Sequence, residues 1–311
     1  MPALNEKVVV VTGGGGGLGR SHCLELARQG ATLIVNDVGS TLGGDEHDAG
    51  LAETVAAEVR AAGGRAFADT TSVTDYDGIA ALIERTVSEL GRIDGIVNNA
   101  GVVRASNLVD MDEEDFDVVL GVHMKGTFNL IKHAAVHFHE RWETGDRSGG
   151  AIVNTTSGAG LRGSPGLSYA TAKAAIAAMT VSSSMQLRRF GVTVNAISPV
   201  ARTRMNPATF ASFDGLVDEG FDPVAPENVS PVVAYLLSDA ASWLTGQVVR
   251  VDANFVRRYH PWTIASQSYQ ALDGRRLTVE ELDDALRILY GVLPVPLYDP
   301  RNLREVPGFD V

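Results

Sequence analysis

Tyr169 and Lys173 stand four residues apart in the stretch Tyr-Ala-Thr-Ala-Lys, and Ser157 precedes Tyr169 by twelve residues. A spacing of four places two side chains on one face of a helix. Oxidising an alcohol requires a base, and a free phenol with a pKa of about 10 is a poor base at neutral pH. A neighbouring ammonium favours the phenolate and brings this pKa toward the working range. The pattern predicts that Tyr169 transfers the proton, with Lys173 supporting it and Ser157 orienting the substrate oxygen.

Taken alone, a tyrosine and a lysine at helical spacing are more often an exposed pair than a catalytic one. The glycine-rich run from Thr12 to Gly19 changes that weighting, because it follows a valine-rich strand and opens a helix. Glycines let the backbone approach a pyrophosphate, and a helix N-terminus offers free N–H groups. A flexible linker is also rich in glycine, but it would not stand between an apolar strand and an apolar helix. The run therefore predicts a dinucleotide-binding loop, and the proton-transfer residues are expected beside its nicotinamide.

Two further sequences extend the predicted cofactor site. The second strand ends at Asp37, whose carboxylate would accept hydrogen bonds from an adenosine ribose and repel a 2′-phosphate. No lysine or arginine occurs in the glycine run or directly after Asp37, so NAD is predicted rather than NADP. The alternative is that Asp37 is a turn residue. Asn99, Ala100 and Gly101 follow the fourth strand, where they would line the cofactor crevice, although as isolated residues they are ordinary turn formers.

The elements that must position these residues alternate regularly between strand and helix. Strands are predicted at Lys7–Thr12, Thr32–Asn36, Arg65–Ala68, Ile93–Val97, Ala151–Thr155, Val192–Ile197 and Gln247–Val251. Helices are predicted at Arg20–Gln29, Ala49–Ala62, Tyr76–Leu90, Glu113–Glu140 (one long helix or two in succession), Tyr169–Phe190 and Ser230–Leu237. This alternation predicts an α/β fold with a doubly wound parallel sheet of the Rossmann type.

Three segments are additional to that plan: a glycine-rich insertion at Gly39–Asp48, a surface loop at Arg141–Gly150, and a C-terminal extension. We expect one Rossmann-type domain over residues 1–253 and an extension over residues 254–311 that packs on the body or on a neighbouring subunit. Within the extension, Thr278 and Glu281 form a capping-box signature that opens a helix to about Tyr290.

Bulk properties exclude some classes of function. A net charge of −12 leaves no basic stripe for nucleic acid. There is no stretch of about 20 apolar residues that would cross a membrane, and the N-terminus has no apolar secretory signal. The only cysteine, Cys23, cannot form an internal disulfide and stands in an apolar helix, so it is expected to be buried in a cytoplasmic protein. No metal site is predicted.

At residues 5–252 the sequence resembles the short-chain dehydrogenase/reductase family. TGGGGGLG is similar to the family's TGxxxGxG loop, NNAG matches as written, and Ser157 with YATAK resembles its Ser and YxxxK elements. The resemblance implies that Tyr169 is the acid/base, that Lys173 binds the nicotinamide ribose and lowers the tyrosine pKa, and that Ser157 holds the substrate oxygen. It also implies a homodimer or homotetramer. The cofactor contacts expected are Gly13, Gly17, Leu18, Gly19, Asp37, Ser72, Val73, Asn99, Ala100, Gly101, Tyr169, Lys173 and Pro199.

Two positions depart from the family pattern. In VHMKGTF, His123 replaces the usual asparagine that feeds a proton relay. A histidine is also able to pass protons or hold a water, and a structural role is an equal alternative. After the sixth strand, Ser198-Pro199-Val200 replaces the usual Pro-Gly, which leaves the path of that loop open.

A narrower resemblance concerns the substrate. The glycine loop, the VNDVG turn with its insertion, VHMKGTF and SPVARTRM are similar to the (3R)-hydroxyacyl-CoA dehydrogenase part of peroxisomal multifunctional enzymes and to bacterial dehydrogenases of steroid side-chain β-oxidation. This implies oxidation of a 3-hydroxyacyl-CoA, with a steroid acyl group or a free hydroxysteroid as further options. The alternatives are an NADPH-dependent 3-oxoacyl-carrier-protein or general carbonyl reductase, and, more remotely, an inactive nucleotide-binding regulator.

Residues 201–229 follow the sixth strand and are expected to cover the substrate. Their apolar members either line a pocket or form the core of a short helix pair. Arg202 and Arg204 either attract CoA phosphates or are ordinary surface arginines. The apolar residues considered are Met205, Phe210, Phe213, Leu216 and Phe221.

Overall fold

Short runs of valine, isoleucine and leucine form a central sheet that is buried on both faces. In the computed structural model, the residues described are 3–41, 43–44, 48–104, 107–203, 221–260, 268, 270 and 277–290. Within them the strands are β1 Val8–Thr12, β2 Thr32–Asn36, β3 Arg65–Asp69, β4 Gly95–Asn98, β5 Gly150–Thr155, β6 Val192–Val200, β7 Val248–Asp252 and β8 Phe255–Arg258. Their order in the sheet is β3-β2-β1-β4-β5-β6-β7-β8.

Strands β1 to β7 are parallel, and β8 pairs antiparallel with β7. The strand order reverses at β1, which lies between β2 and β4. Val10 of β1 is in register with Ile34 on one side and with Ile96 on the other. Ligands of doubly wound sheets bind outside the carboxyl ends of the strands at such a reversal. The predicted α/β doubly wound fold is therefore confirmed.

Helices cover both faces of the sheet. They are α1 Gly17–Arg28, α2 Gly50–Ala61, α3 Tyr76–Leu90, α4 Glu113–Leu120, α5 Gly126–Glu143, α6 Gly158–Arg162, α7 Leu167–Leu187 and α8 Ser230–Leu237. A further helix, α9 Val279–Tyr290, follows later in the chain. A π-helical turn, Gly121–Lys125, joins α4 to α5.

Two buried clusters lie on opposite faces of the sheet, because successive side chains of a strand point to opposite sides. Val9 and Val11 of β1 belong to the cluster that α1, α2 and α8 cover. Val10 belongs to the other cluster, which α3, α5 and the end of α7 cover. Cys23 of α1 is fully buried in the first cluster, as expected, and burial raises the pKa of its thiol well above the ordinary range.

Several boundaries differ from the sequence prediction. The segment predicted as one or two helices is α4, the π-turn and α5, which continues to Glu143 and so takes in the start of the predicted surface loop. Strand β6 extends to Val200, because its last residues continue to pair with β7. Strand β8 and the five-residue helix α6 were not predicted, since both are too short to show a period.

The chain divides into two compact units, residues 1–259 and 260–311. The first unit includes β8 and so ends six residues beyond the boundary predicted at 253. In the second unit, the Thr278 N–H donates to Glu281 Oε2 at 2.9 Å, which is half of the predicted capping box, and α9 ends at Tyr290 as expected. Among the described residues, no helix combines the length and apolar composition that a membrane span requires.

Candidate active site

A cleft of about 930 Å³ opens at the carboxyl ends of the central strands. It brings together nearly all the site residues proposed from the sequence: Gly13, Gly17, Leu18, Asp37, Ser72, Val73, Asn99, Ala100, Gly101, His123, Ser157, Tyr169, Lys173 and Pro199. Gly19 is the exception, because it does not line the cleft. The residues come from eight separate segments of the chain, so their convergence is a property of the fold.

The glycine run makes a tight turn between β1 and α1. Gly13 and Gly17 have φ values of 64° and 49°, a region that favours glycine. A Cβ at Gly19 would lie 1.9 Å from the carbonyl oxygen of Gly13, so Gly19 allows the helix to pack against the loop. Helix α1 begins without a side-chain cap at Gly16, and its first N–H groups are available to an anion in the cleft.

Asp37 is almost fully buried at the end of β2. One carboxylate oxygen accepts the N–H of Gly15 at 2.8 Å, and the other accepts the N–H of Gly39 at 2.7 Å. Asp37 therefore joins the glycine loop to the start of the Gly39–Asp48 insertion. The bond from the Gly39 N–H is an Asx-turn, so Asp37 is a turn residue and also places a carboxylate in the cleft.

The Asn99–Gly101 segment is held against the glycine loop by Thr12. The hydroxyl of Thr12 accepts the N–H groups of Asn99 and Ala100, at 3.0 and 3.2 Å. The amide of Asn99 donates to the carbonyl oxygens of Thr12 and Gly13, both at 3.2 Å. Asn99 thus stabilises the turn with its side chain, and the backbone of this segment faces the cleft. Thr12 was not among the site residues predicted from the sequence, although a polar residue that ends an all-valine strand was a usable signal.

Ser157, Tyr169 and Lys173 meet at another part of the same cleft. Lys173 Nζ lies 5.5 Å from the centre of the Tyr169 ring, which confirms that the two side chains share one face of α7. The ammonium donates to the carbonyl oxygen of Thr155 at 2.7 Å. Thr156 fixes the backbone beside it, because its hydroxyl donates to the Lys173 carbonyl oxygen at 2.6 Å. Ser157 is the N-cap of α6 and accepts the Ala159 N–H at 3.2 Å.

Burial dominates the acid–base chemistry of this set. It lowers the pKa of Lys173 from 10.5 to about 7. Burial also raises the pKa of Tyr169, and a hydrogen bond from Ser157 partly opposes that increase. From the sequence, Lys173 was expected to lower the tyrosine pKa. In the protein alone, burial of Tyr169 is the larger influence and raises that pKa.

His123 lies in the π-turn and is buried beside Tyr169, with ring centres 5.3 Å apart and planes nearly perpendicular. Its Nε2 lies 2.8 Å from the Val102 carbonyl oxygen and 3.1 Å from the Val102 N–H, which are contacts for opposite tautomers. Burial lowers the His123 pKa to about 3, so the ring is neutral at pH 7. A Cβ at Gly101 would lie only 2.3 Å from the ring. His123 Nδ1 is buried with no hydrogen-bond partner among the described residues, so the proton relay and the structural role both stay predictions.

The segments after β6 are only partly described. Ser198, Pro199 and Val200 remain in the strand, and Pro199 is in register with Val251, so the departure from Pro-Gly leaves the backbone paired. Ala201 and Thr203 line the cleft, and the N–H of Arg202 donates to Val224 at 2.7 Å. Phe221 is about half exposed and is not a cleft residue. Arg204, Met205, Phe210, Phe213 and Leu216 lie outside the described residues.

The glycine-rich turn at the strand-order reversal shares one crevice with Ser157, Tyr169 and Lys173, an arrangement typical of dehydrogenases of the doubly wound α/β class. The sequence profile of the short chain dehydrogenase family matches residues 7–212. The chain therefore belongs to the short-chain dehydrogenase/reductase family, an oxidoreductase family that uses a nicotinamide cofactor and small-molecule substrates.

Relatives cover most of the first unit. The hydroxyacyl-CoA dehydrogenase ChsB1 of Mycobacterium tuberculosis is 40% identical over 250 residues, which are 79% of this chain and 77% of that protein. The peroxisomal hydratase-dehydrogenase-epimerase of Neurospora crassa is 34% identical over 253 residues, 81% of this chain but 27% of the larger protein. A 3-oxoacyl-[acyl-carrier-protein] reductase FabG of Staphylococcus aureus is 35% identical over 253 residues, 79% of this chain and 96% of that protein.

A solved structure supports the fold. The crystal structure of a short chain dehydrogenase from Mycobacterium avium superimposes with a TM-score of 0.83 at 42% identity and covers 96% of this chain and 99% of that chain. The resemblance to hydroxyacyl-CoA dehydrogenases and to peroxisomal multifunctional enzymes is thus confirmed. Among the described residues, no group of three His, Cys, Asp or Glu side chains forms a metal site.

Proposed function

We propose that this chain is an NAD-dependent dehydrogenase that oxidises the secondary alcohol of a 3-hydroxyacyl-CoA, including steroid-bearing ones, to a ketone. One observation carries the proposal: Ser157, Tyr169 and Lys173 line the same cleft as the glycine loop and Asp37. A dehydrogenase requires this combination, because the proton acceptor and the hydride acceptor must both reach the same carbinol group.

The choice of NAD depends on the charges around Asp37. Among the described residues that line the cleft, the cationic side chains are Arg104 and Lys173. Arg104 is paired with Asp115 at 3.0 Å, and Lys173 belongs to the proton-transfer set. A 2′-phosphate next to Asp37 would therefore meet a buried carboxylate, whereas a ribose hydroxyl would donate to it. The uncapped N-terminus of α1 fits the pyrophosphate of either dinucleotide.

In the proposed mechanism, bound NAD would supply the acceptor for the hydride of the carbinol carbon. Ser157 orients the substrate oxygen through its hydroxyl. Tyr169 accepts the proton from that oxygen as the carbon–oxygen bond becomes double, so that one hydride and one proton leave the alcohol. Lys173 stands behind the tyrosine and is fixed by the Thr155 carbonyl oxygen. The positive charge of a nicotinamide ring beside Tyr169 and Lys173 would favour the Tyr169 phenolate and so offset the rise in the Tyr169 pKa that burial causes.

The substrate class is proposed from the relatives. ChsB1 is named as a hydroxyacyl-CoA dehydrogenase, and the Neurospora protein is named for hydratase, dehydrogenase and epimerase activities. The second candidate is an NADPH-dependent 3-oxoacyl-carrier-protein reductase, and the match to 96% of a FabG reductase favours it. Asp37 argues against this candidate, because such a reductase must accept a 2′-phosphate.

Two experiments test the proposal. Saturation binding with NAD and with NADP should show a clear preference for NAD, and a preference for NADP would transfer the assignment to the reductase. An activity screen should then compare short, long and steroid-bearing 3-hydroxyacyl-CoAs and free hydroxysteroids. In this screen Tyr169→Phe should lose turnover and keep NAD binding. Tyr235→Phe is the matched control, because Tyr235 is exposed on α8. Persistent turnover in Tyr169→Phe would contradict the assigned proton transfer.

We also propose, from the resemblance to the family and from the single buried Cys23, a cytoplasmic homodimer or homotetramer. Sedimentation analysis of the full chain measures the subunit number directly, and a monomer at micromolar concentration would contradict this expectation.

A further inference from the structure

A ring of contacts surrounds the end of the cleft that contains Asp37. Asp37 holds the start of the insertion through the Gly39 N–H. The insertion returns to the same point, because the Asp48 N–H donates to the Gly39 carbonyl oxygen at 2.8 Å. A Cβ at Gly39 would overlap the Asp48 carbonyl oxygen at 1.8 Å, so only a glycine allows the two ends to meet this closely.

Gly44 of the same insertion lies on the opposite wall. A Cβ built at Gly44 would lie 3.5 Å from Val102 Cγ1 and 3.8 Å from Val118 Cγ1, so these two side chains bound the space beside Gly44. Val118 belongs to α4, and a Cβ built at Gly121 of the following π-turn would lie 3.9 Å from Thr74 Cγ2. The described residues of the insertion therefore lie near the end of β2 at Gly39 and near α4 at Gly44.

The ring closes through the end of β3. The Asn36 amide donates to the Thr71 carbonyl oxygen at 2.8 Å and so connects β2 to the segment that contains Thr74. We call the cleft residues Asp37, Gly44, Thr74 and Val118 the collar. All four line the cleft.

Arg104 ties the two sides of the collar together. Its Nε donates to the Gly43 carbonyl oxygen at 3.0 Å, and its Nη1 donates to Asp115 Oδ1 at 3.0 Å. The side chain is only 16% exposed, so water competes weakly for these bonds. A guanidinium is planar and holds its donors at fixed angles, and a lysine ammonium would not reproduce this geometry. Arg104 thus fixes Gly43 of the insertion relative to α4.

We propose that Arg104 is a positioning residue that holds the collar around the adenosine half of the bound dinucleotide and thereby sets its affinity. The inference follows from the position of Asp37, whose carboxylate is the expected acceptor for the adenosine ribose. It depends on the proposed function in this one respect, that a dinucleotide binds in the cleft. Preorganised walls raise affinity because the ligand does not have to order them on binding.

The test measures binding of three ligands to the full chain: NAD, ADP-ribose and nicotinamide mononucleotide. Arg104→Met keeps the aliphatic stem and removes both hydrogen bonds, and Arg104→Lys keeps the charge without the fork. Each should raise the Kd of NAD and of ADP-ribose by about tenfold, an order of magnitude typical for lost charge-assisted hydrogen bonds. The Kd of nicotinamide mononucleotide should change by less than twofold, and the KM for NAD should rise more than kcat falls.

Arg60→Met is the matched control. Arg60 also bridges a carboxylate and a backbone carbonyl oxygen, those of Glu53 and Ala66, but it does not line the cleft. Its variant should bind all three ligands as the unmodified protein does. Asp115→Ala removes the acceptor of the Arg104 Nη1 hydrogen bond and should weaken ADP-ribose binding in the same direction, which keeps the test decisive where an Arg104 variant does not fold.

Three outcomes overturn the proposal: unchanged ADP-ribose binding in the folded variants, an equal loss for nicotinamide mononucleotide, or no ADP-ribose binding to the unmodified protein. A preference of the unmodified protein for NADP over NAD refutes the proposed cofactor instead. In that case ADP-ribose still reports on the collar, so the two failures are distinguishable.

Discussion

Replacing Lys173 with methionine should change how the stability of the fold depends on pH. Lys173 is buried in α7, and its pKa falls from 10.5 in the unfolded chain to about 7 in the folded protein. Methionine has a similar length and no charge. The substitution removes one titrating group from the folded state and leaves the rest of the chain as it was.

The sign follows from proton binding in the two states. Between pH 7 and pH 10.5 the unfolded chain keeps the Lys173 proton while the folded protein has largely released it. Stability rises with pH wherever the unfolded state binds more protons. At pH 7 the folded lysine is half protonated, so the slope is at first half of its full value. Integrating from pH 7 to pH 9, at about 1.36 kcal/mol per proton and pH unit, gives a gain of about 2 kcal/mol.

The assay is urea unfolding of the cofactor-free protein at pH 7, 8 and 9, with the difference between the unmodified chain and Lys173→Met taken at each pH. The difference cancels Cys23, Tyr169 and all other groups that titrate in both proteins. The methionine also leaves the Thr155 carbonyl oxygen without its donor, but that penalty does not change with pH. Lys132→Met, which removes an exposed lysine of α5, is the control and should give a flat difference.

A flat difference for Lys173→Met would refute the reasoning. It would mean that the ammonium stays charged in the folded protein, stabilised by its bond to Thr155 more than burial destabilises it. The account of an acid–base pair dominated by burial would then be wrong, and Tyr169 would have a charged neighbour before any cofactor binds.

Three further substitutions test the architecture of the site. Gly19→Ala should cost about 3 kcal/mol or more and abolish NAD binding, because its Cβ would overlap the Gly13 carbonyl oxygen and the backbone must move. Gly101→Ala should cost about 2 kcal/mol, because its Cβ would meet the buried His123 ring at 2.3 Å, and thermal unfolding measures both losses. Thr12→Val removes the acceptor of two N–H groups and should cost about 2 kcal/mol and weaken NAD binding in calorimetry.

Each of these has a control within the chain. A Cβ at Gly16 would meet no atom within 4 Å, and its backbone is extended, so Gly16→Ala should lose only the N-cap preference of glycine over alanine, about 1 kcal/mol or less. A loss in that variant equal to that of Gly19→Ala would contradict the steric argument. Thr12→Ser keeps the hydroxyl and should behave as the unmodified protein. For Gly101→Ala, the control adds the same substitution to a His123→Ala variant. If the double variant is as stable as His123→Ala alone, contact with the His123 ring causes the loss. If Gly101→Ala costs as much without the ring as with it, the ring contact is excluded as the cause.

Much of the fold followed from local patterns. The alternation of valine-rich runs with helical periods predicted seven strands in the right places, because a strand buried on both faces must be continuously apolar. The glycine run between a strand and a helix predicted the dinucleotide loop, and the spacing of Tyr169 and Lys173 predicted their common face. These features depend on residues close together in the chain, so backbone geometry alone links sequence to structure.

Features that depend on contacts between distant segments could not be predicted from local sequence patterns. Strand β8 has four exposed residues and is a strand only because β7 offers it an edge. Arg104 forms hydrogen bonds to Gly43 and to Asp115, and no local sequence pattern indicates that an arginine connects two other segments. Gly101 was assigned to the cofactor, whereas its close contact with His123 appears only when residues 101 and 123 are brought together.

The sequence by itself determined the class of fold, the common helix face of Tyr169 and Lys173 and the acidic residue at the end of β2, because these are fixed by residue type and short spacing. Only the tertiary structure decided the pKa values of the titrating side chains among them. The pKa values of Lys173 and Tyr169 are set by how much water the surrounding elements exclude. Burial is a sum over many distant side chains, and that sum exists only after the chain has folded.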